Sequence, residues 1–220
     1  MIDLEGQEKI LVSIGNILEK KIFIYAIGGT AMMFCNLKDA TLDVDLVFDR
    51  KSDREEMISA LRKIKAKELD VTLVYGQKEN TPYVMKLDNV RFDLFMNKII
   101  TSVFSEQMKG RAKQIHEFGR NLIINVADAQ DILLLKAVTL RRKDEDDIAI
   151  IIKSSMVNWD IIIKEAENQI ISGNERAVLD LGTTLEKIKK LGTAEIPNEV
   201  LDKLWDLMKE QIKKKSREAK

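Results

Sequence analysis

Several things are scarce in this chain of 220 residues, and each scarcity removes a class of protein. Cys35 is the only cysteine, which rules out an internal disulfide framework and fits a reducing compartment. His116 is the only histidine, so histidine-based triads and multi-histidine metal sites are excluded. Acidic and basic residues balance at 36 each, so bulk charge gives no hold on nucleic acid, although local basic patches are not excluded. No apolar run approaches the roughly 20 residues that span a bilayer. The start, Met1-Ile2-Asp3-Leu4-Glu5, is acidic and unlike a secretory leader. These features predict a soluble cytoplasmic protein with no membrane partner. No internal repeat and no low-complexity linker interrupts the chain.

What is present is a hydrophobic pattern that changes along the chain. Leu4–Lys20 has helical spacing, with Ile10, Leu11, Ile14, Ile17 and Leu18 on one side. Ile22–Ile27 reads as a buried strand that runs into Gly28-Gly29-Thr30, and the apolar stretch to Asn36 predicts a short helix. Thr41–Asp49 is a second strand. Ser52-Asp53 can cap a helix to about Lys65. Val71–Tyr75, Tyr83–Leu87 and Val90–Phe95 are strand candidates, with Asp88-Asn89 as the hairpin turn between the last two. Asn121–Val126 is a last strand. Asp128 caps a helix over Ala129–Arg142, helix resumes over Asp147–Lys153, and the pattern stays helical to Lys220, punctuated by Gly173, Gly182, Gly192 and Pro197. The expected fold class is α+β: a mixed sheet flanked by helices over residues 1–125, then a helical C-terminal region over residues 126–220.

The chemistry is carried by acidic residues on strands. Alternate strand residues share a face, so Asp43 and Asp45 point one way while Leu42, Val44 and Leu46 point the other. Two carboxylates on one face of an apolar strand repel each other and are costly to bury without a cation between them. Oxygen ligands of this kind suit Mg²⁺. In Arg91-Phe92-Asp93-Leu94-Phe95 the same alternation puts Arg91, Asp93 and Phe95 together, and a later strand beside the first would bring Asp93 to the pair. Three converging carboxylates can hold two metal ions and clamp a nucleoside triphosphate for in-line displacement at phosphorus. Gly28-Gly29 would let backbone N–H groups approach triphosphate oxygens with no Cβ in the way, and the helix start after Thr30 adds its positive end. The competing readings are plainer. Asp93 can form an ion pair with Arg91 or Lys86, Gly28-Gly29 can be a tight turn, and Lys136 can lie along a helix edge with its head in water.

Strand, Gly-Gly-Thr, short helix, Thr41-Leu42-Asp43-Val44-Asp45, and a later strand with an aspartate together resemble the nucleotidyltransferase superfamily of DNA polymerase beta. Leu135-Lys136-Ala137, followed by Arg141-Arg142-Lys143-Asp144-Glu145-Asp146-Asp147, is similar to a second block found in the AbiEii-like subgroup, whose members are toxin halves of some toxin–antitoxin pairs. The resemblance covers residues 20–150. It implies a palm-like sheet, two Mg²⁺ ions and transfer of a nucleoside monophosphate from an NTP. The acceptor it implies is a hydroxyl of an RNA (such as tRNA) or of a protein, with small-molecule adenylylation also open. It further implies that Asp43, Asp45 and Asp93 hold the metals and carry the catalysis, with Asp93 also helping to deprotonate the acceptor. Gly28, Gly29, Thr30 and Lys136 are implied as nucleotide contacts, and a cognate antitoxin as a partner. The alternative is a catalytically inactive binding or regulatory module on the same fold. Cys35 and the two tryptophans, Trp159 and Trp205, read as packing residues, His116 as a surface residue, and Lys213–Arg217 as a solvated tail.

Overall fold

The computed structural model describes residues 1–154 and 157–218. The chain opens with β1 (Ile2–Asp3), α1 (Leu4–Ile17), β2 (Ile22–Ala26), α2 (Gly28–Phe34), β3 (Ala40–Thr41) and β4 (Asp43–Phe48). It continues through α3 (Lys51–Lys63), β5 (Lys67–Glu68), α4 (Thr72–Tyr75), β6 (Tyr83–Leu87), β7 (Val90–Met96) and β8 (Lys98–Ile99). Then come β9 (Ser102–Val103), α5 (Glu106–Arg111), β10 (Gln114–Phe118) and β11 (Leu122–Val126). Five helices end the chain: α6 (Ala129–Ala137), α7 (Arg142–Ser154), α8 (Trp159–Ile171), α9 (Glu175–Lys190) and α10 (Asn198–Glu218). The helical course expected at 155, 156, 219 and 220 lies outside the described residues. The chain divides into two compact units, Met1–Ile100 with Glu106–Asp128, and Thr101–Ser105 with Ala129–Lys220. The fold class is α+β, a mixed sheet flanked by helices in the first unit and a helical assembly in the second.

The sheet of the first unit has seven strands in the order β10-β11-β2-β4-β7-β6-β5. The β11–β2 and β4–β7 pairs are parallel and the others antiparallel. Ile22, Ile24 and Ala26 of β2, Val44, Leu46 and Phe48 of β4, and Phe92 and Leu94 of β7 are all fully buried. They alternate with the more polar set, as strand geometry requires. Helices α1 and α3 lie against this sheet, and Leu11, Ile14, Met57 and Leu61 on them are buried. Removing one such side chain as large as Phe92 costs about 3–5 kcal/mol. The opposite parity holds Asp43, Asp45, Arg91 and Asp93.

Three local expectations are corrected and one strand is added. Val71–Tyr75 is not a strand: Thr72–Tyr75 is one helical turn. The Asp70 carboxylate accepts the Thr72 amide at 2.9 Å and the Thr72 hydroxyl at 2.7 Å, and this local capping overrides the β-branched composition. The helix expected over Ala129–Arg142 breaks after Ala137, with Leu140 at φ 55°. Its cause is a buried charge cluster described below. Gln114–Phe118, unassigned from sequence, is a strand that pairs antiparallel with β11. The helix expected from Ser52-Asp53 runs Lys51–Lys63 without a side-chain cap, because Asp53 is turned to Lys20 at 3.0 Å.

In the helical unit, Thr101–Ser105 is held by side chains of α8 and α9. The Gln169 amide reads the Val103 backbone both ways, accepting its N–H at 2.9 Å and donating to its carbonyl at 2.8 Å. Thr101 donates its hydroxyl to Asp180 at 2.8 Å. Trp205 donates its indole N–H to Glu186 at 2.8 Å, and its ring lies against Gly182. No described helix is long and apolar enough to cross a membrane.

Candidate active site on the β4–β7 face

Strand β2 ends at Ala26, and Ile27 stays extended, donating its N–H to the Asp45 carbonyl at 3.1 Å. The chain then turns at Gly28, where φ is +57°, a conformation that side-chain-bearing residues rarely adopt. A Cβ at Gly28 would lie 2.3 Å from Oδ2 of Asp45, and one at Gly29 would lie 2.5 Å from the Thr41 hydroxyl. Gly28 is therefore required by the turn and by close approach, and Gly29 by close approach. The Gly29 amide donates to Asp45 Oδ2 at 3.3 Å. Thr30 is fully buried. Its hydroxyl accepts the Asp45 amide at 2.9 Å and donates to the Asp43 carbonyl at 3.4 Å, locking the Gly-Gly turn to β4.

The parallel register of β4 and β7 places Asp43 opposite Arg91 and Asp45 opposite Asp93. All four side chains share one face by strand parity. Arg91 meets both flanking carboxylates. Its Nη2 lies 2.6 Å from Asp43 Oδ2 and 2.8 Å from Asp93 Oδ2, and its Nε donates to Asp93 Oδ1 at 2.9 Å. Asp93 is fully buried and also accepts the Tyr75 hydroxyl at 2.6 Å. Tyr75 is set by its ring, which stands edge-on to Phe95 at 6.1 Å between centroids. Burial pushes the Asp93 carboxyl above its ordinary value, while Arg91 and Tyr75 pull it back. Burial, and then the Asp93 charge, push the Tyr75 hydroxyl far up, so it stays a donor.

Three of the residues singled out from sequence, Asp43, Asp45 and Asp93, are thus on adjacent strands and one face, with Gly28, Gly29 and Thr30 packed on Asp45. Arg91, one of the two partners considered for Asp93, is the one found. Tyr75 escaped sequence reading altogether, because the turn that delivers it looked like a strand.

Lys136 belongs to the helical unit, where its Nζ is buried between Asp144 Oδ1 at 3.0 Å and Asp147 Oδ2 at 2.7 Å. Asp144 also takes Nε of Arg141 at 2.7 Å and the Thr139 hydroxyl. Burial alone would raise the Asp144 carboxyl, but Lys136 and Arg141 hold it down at about 2. This network ties Lys136, Asp144 and Asp147 into one buried clasp, with Arg141 at its rim, where α6 ends. Cys35 is half-buried, and burial followed by the Asp128 charge pushes its thiol up, away from nucleophile chemistry. His116 stacks on Phe34 at 4.5 Å.

No family model matches the chain, and no curated protein matches it. Among solved structures the chain is similar to ANT(2")-Ia in complex with adenylyl-2"-tobramycin, at 12% sequence identity and a TM-score of 0.43. The overlap covers 82% of this chain and 98% of that one. It is too loose to fix fold or activity.

The cofactor implied by the sequence is Mg²⁺. The donor set suits it chemically: three carboxylates share a face, and Gly28 presents no Cβ to the Asp45 oxygen. A cation, Arg91, already sits between two of the three. Among the described residues, no three Asp, Glu, His or Cys side chains stand arranged to hold a metal ion, and in this arrangement the guanidinium holds Asp43 and Asp93 to itself.

Proposed function

We propose that the chain is a nucleotidyltransferase that moves a nucleoside monophosphate from an NTP to an acceptor hydroxyl, with the β- and γ-phosphates leaving as pyrophosphate. The observation that carries this reading is the common face of Asp43, Asp45 and Asp93, with the Gly28-Gly29 turn laid against Asp45. Asp43, Asp45 and Asp93 would hold Mg²⁺, two ions in the full assembly. Bound there, the metal would offset phosphate charge and polarise the α-phosphorus. Gly28 and Gly29 keep their backbone free of side-chain bulk where triphosphate oxygens would approach. Thr30 fixes the turn against β4. Tyr75 orients Asp93, whose burial favours its taking a proton from the acceptor hydroxyl.

The finer reading places the chain with AbiEii-like toxins, in the cytoplasm, with an RNA (such as tRNA) or protein hydroxyl as acceptor and a cognate antitoxin as partner. Its support is the Lys136, Arg141, Lys143, Asp144 and Asp147 pattern. Lys136 would act there as a nucleotide contact. A second reading, a binding module without turnover, is favoured by one observation: Arg91 is ion-paired to two of the three carboxylates.

The deciding experiment incubates wild type and the Asp43→Ala/Asp45→Ala variant with Mg²⁺, each labelled NTP, total tRNA and cell lysate. Label on RNA or protein with wild type alone supports transfer and names the acceptor class. Nucleotide binding without any label transfer supports the binding module.

A further inference from the structure

Arg91 is the site's own cation, and its placement follows from register. It stands opposite Asp43 across the β4–β7 pair and two residues before Asp93 on the same strand, so one guanidinium reaches both. Three hydrogen-bonding distances of 2.6, 2.8 and 2.9 Å join it to Asp43 Oδ2 and to both oxygens of Asp93. Asp45, opposite Asp93 in the same register, brings a third carboxylate to the face that Arg91 occupies. A divalent cation on these carboxylates would compete for the same oxygens and would repel the guanidinium.

We propose that Arg91 is an exchangeable counter-cation: a divalent ion binds at Asp43, Asp45 and Asp93 by displacing its guanidinium from Asp43 and Asp93. This deepens the metal-dependent reading above and rests on it. Two features equip the site for exchange. The Arg91 side chain is 20% exposed, so it is not sealed inside the core. Tyr75 keeps its hydrogen bond to Asp93 and its ring against Phe95, so Asp93 retains a fixed partner when Arg91 leaves. Arg91 is therefore a positioning residue that lowers the metal affinity of the nucleotide-free site and guards two buried carboxylates against mutual repulsion.

The test measures Mn²⁺ binding to the full chain by electron paramagnetic resonance, without nucleotide, in wild type, Arg91→Gln and Arg91→Lys. Exchange predicts that Arg91→Gln binds Mn²⁺ about tenfold more tightly than wild type, an ordinary magnitude for two ligands coupled at one equilibrium. Its unfolding temperature should lie below wild type without metal and rise more steeply with added Mn²⁺. Equal or weaker Mn²⁺ binding by folded Arg91→Gln overturns the proposal. Should Arg91→Gln not fold, the Arg91 Nε–H resonance of the wild-type protein decides. It must shift and exchange faster with solvent at Mg²⁺ concentrations that compete off bound Mn²⁺, and an unchanged signal overturns the proposal. If Mn²⁺ binds neither wild type nor variant, with or without NTP, the metal-dependent reading falls and exchange falls with it. If Mn²⁺ binds but Arg91 does not respond, only exchange falls.

Discussion

Asp45 occupies the space that a side chain on Gly28 would need: the Cβ of any other residue there would fall 2.3 Å from Asp45 Oδ2. The glycine and the acid are therefore one unit of structure, although sixteen residues separate Gly29 from its hydrogen-bond partner Asp45.

Gly28→Ala should damage the site through both the positive φ and the contact. The left-handed conformation alone costs a non-glycine residue about 1–2 kcal/mol. Displacement of the Asp45 carboxylate should abolish label transfer while the far-ultraviolet circular dichroism keeps its wild-type shape. Full transfer activity in Gly28→Ala would show that Asp45 need not stand where it does.

Thr30→Val keeps the shape of the side chain and removes its hydroxyl. The Asp45 amide then loses its 2.9 Å acceptor in a partly buried setting. Such an orphaned amide costs about 1–3 kcal/mol. Denaturant unfolding should show that loss, and NTP binding should weaken in parallel because the turn is no longer tied to β4.

Lys136→Met leaves Asp144 and Asp147 buried without their shared cation. Removing one partner of a buried ion cluster costs about 3–5 kcal/mol. The double variant Lys136→Met/Asp147→Leu should recover part of it. A Lys136→Met protein as stable as wild type would show that the clasp is not structural and would turn attention to Lys136 as a ligand contact.

The clasp also predicts a pH dependence. The Asp144 carboxyl is held at about 2, below its ordinary 3.8. A depressed folded-state value stabilises the fold above the unfolded value and is lost as pH falls through the folded one. Asp144 thus contributes about 2 kcal/mol at neutral pH that disappears between about pH 4 and pH 2. Urea unfolding of wild type and Asp144→Asn across that window should converge as the pH falls, and parallel curves would refute the assignment.

Much of the site could be read in the sequence because it is local. Gly28-Gly29-Thr30 and Asp43-Val44-Asp45 declare their turn and their shared face through neighbours one or two residues away. Asp93 was readable as a face but not as a position, since its place beside Asp45 depends on a parallel register between strands far apart in sequence. Tyr75 was invisible: its delivery depends on Asp70 capping a turn whose composition, Thr72-Leu73-Val74-Tyr75, favours a strand. The break after Ala137 was hidden for a related reason. Helical spacing continues through Leu140, and only the tertiary meeting of Lys136, Thr139 and Asp144 ends the helix there. Strand β10 escaped because only Phe118 of its five residues is buried, so its sequence carries no core-facing alternation, and its pairing with β11 is what makes it a strand.

The five residues Thr101–Ser105 belong to the helical unit, yet residues of the other unit precede and follow them. A single scission of the chain therefore cannot release either unit whole. A fragment ending at residue 125 would carry Phe104, buried in the intact protein, as an exposed apolar strip. A fragment beginning at Ala129 would leave the Gln169 amide, itself fully buried, with neither the N–H nor the carbonyl of Val103 to read. Expression of either piece should give a less soluble and less cooperative product than the entire chain, and supplying Thr101–Phe104 as a tethered peptide should restore the second.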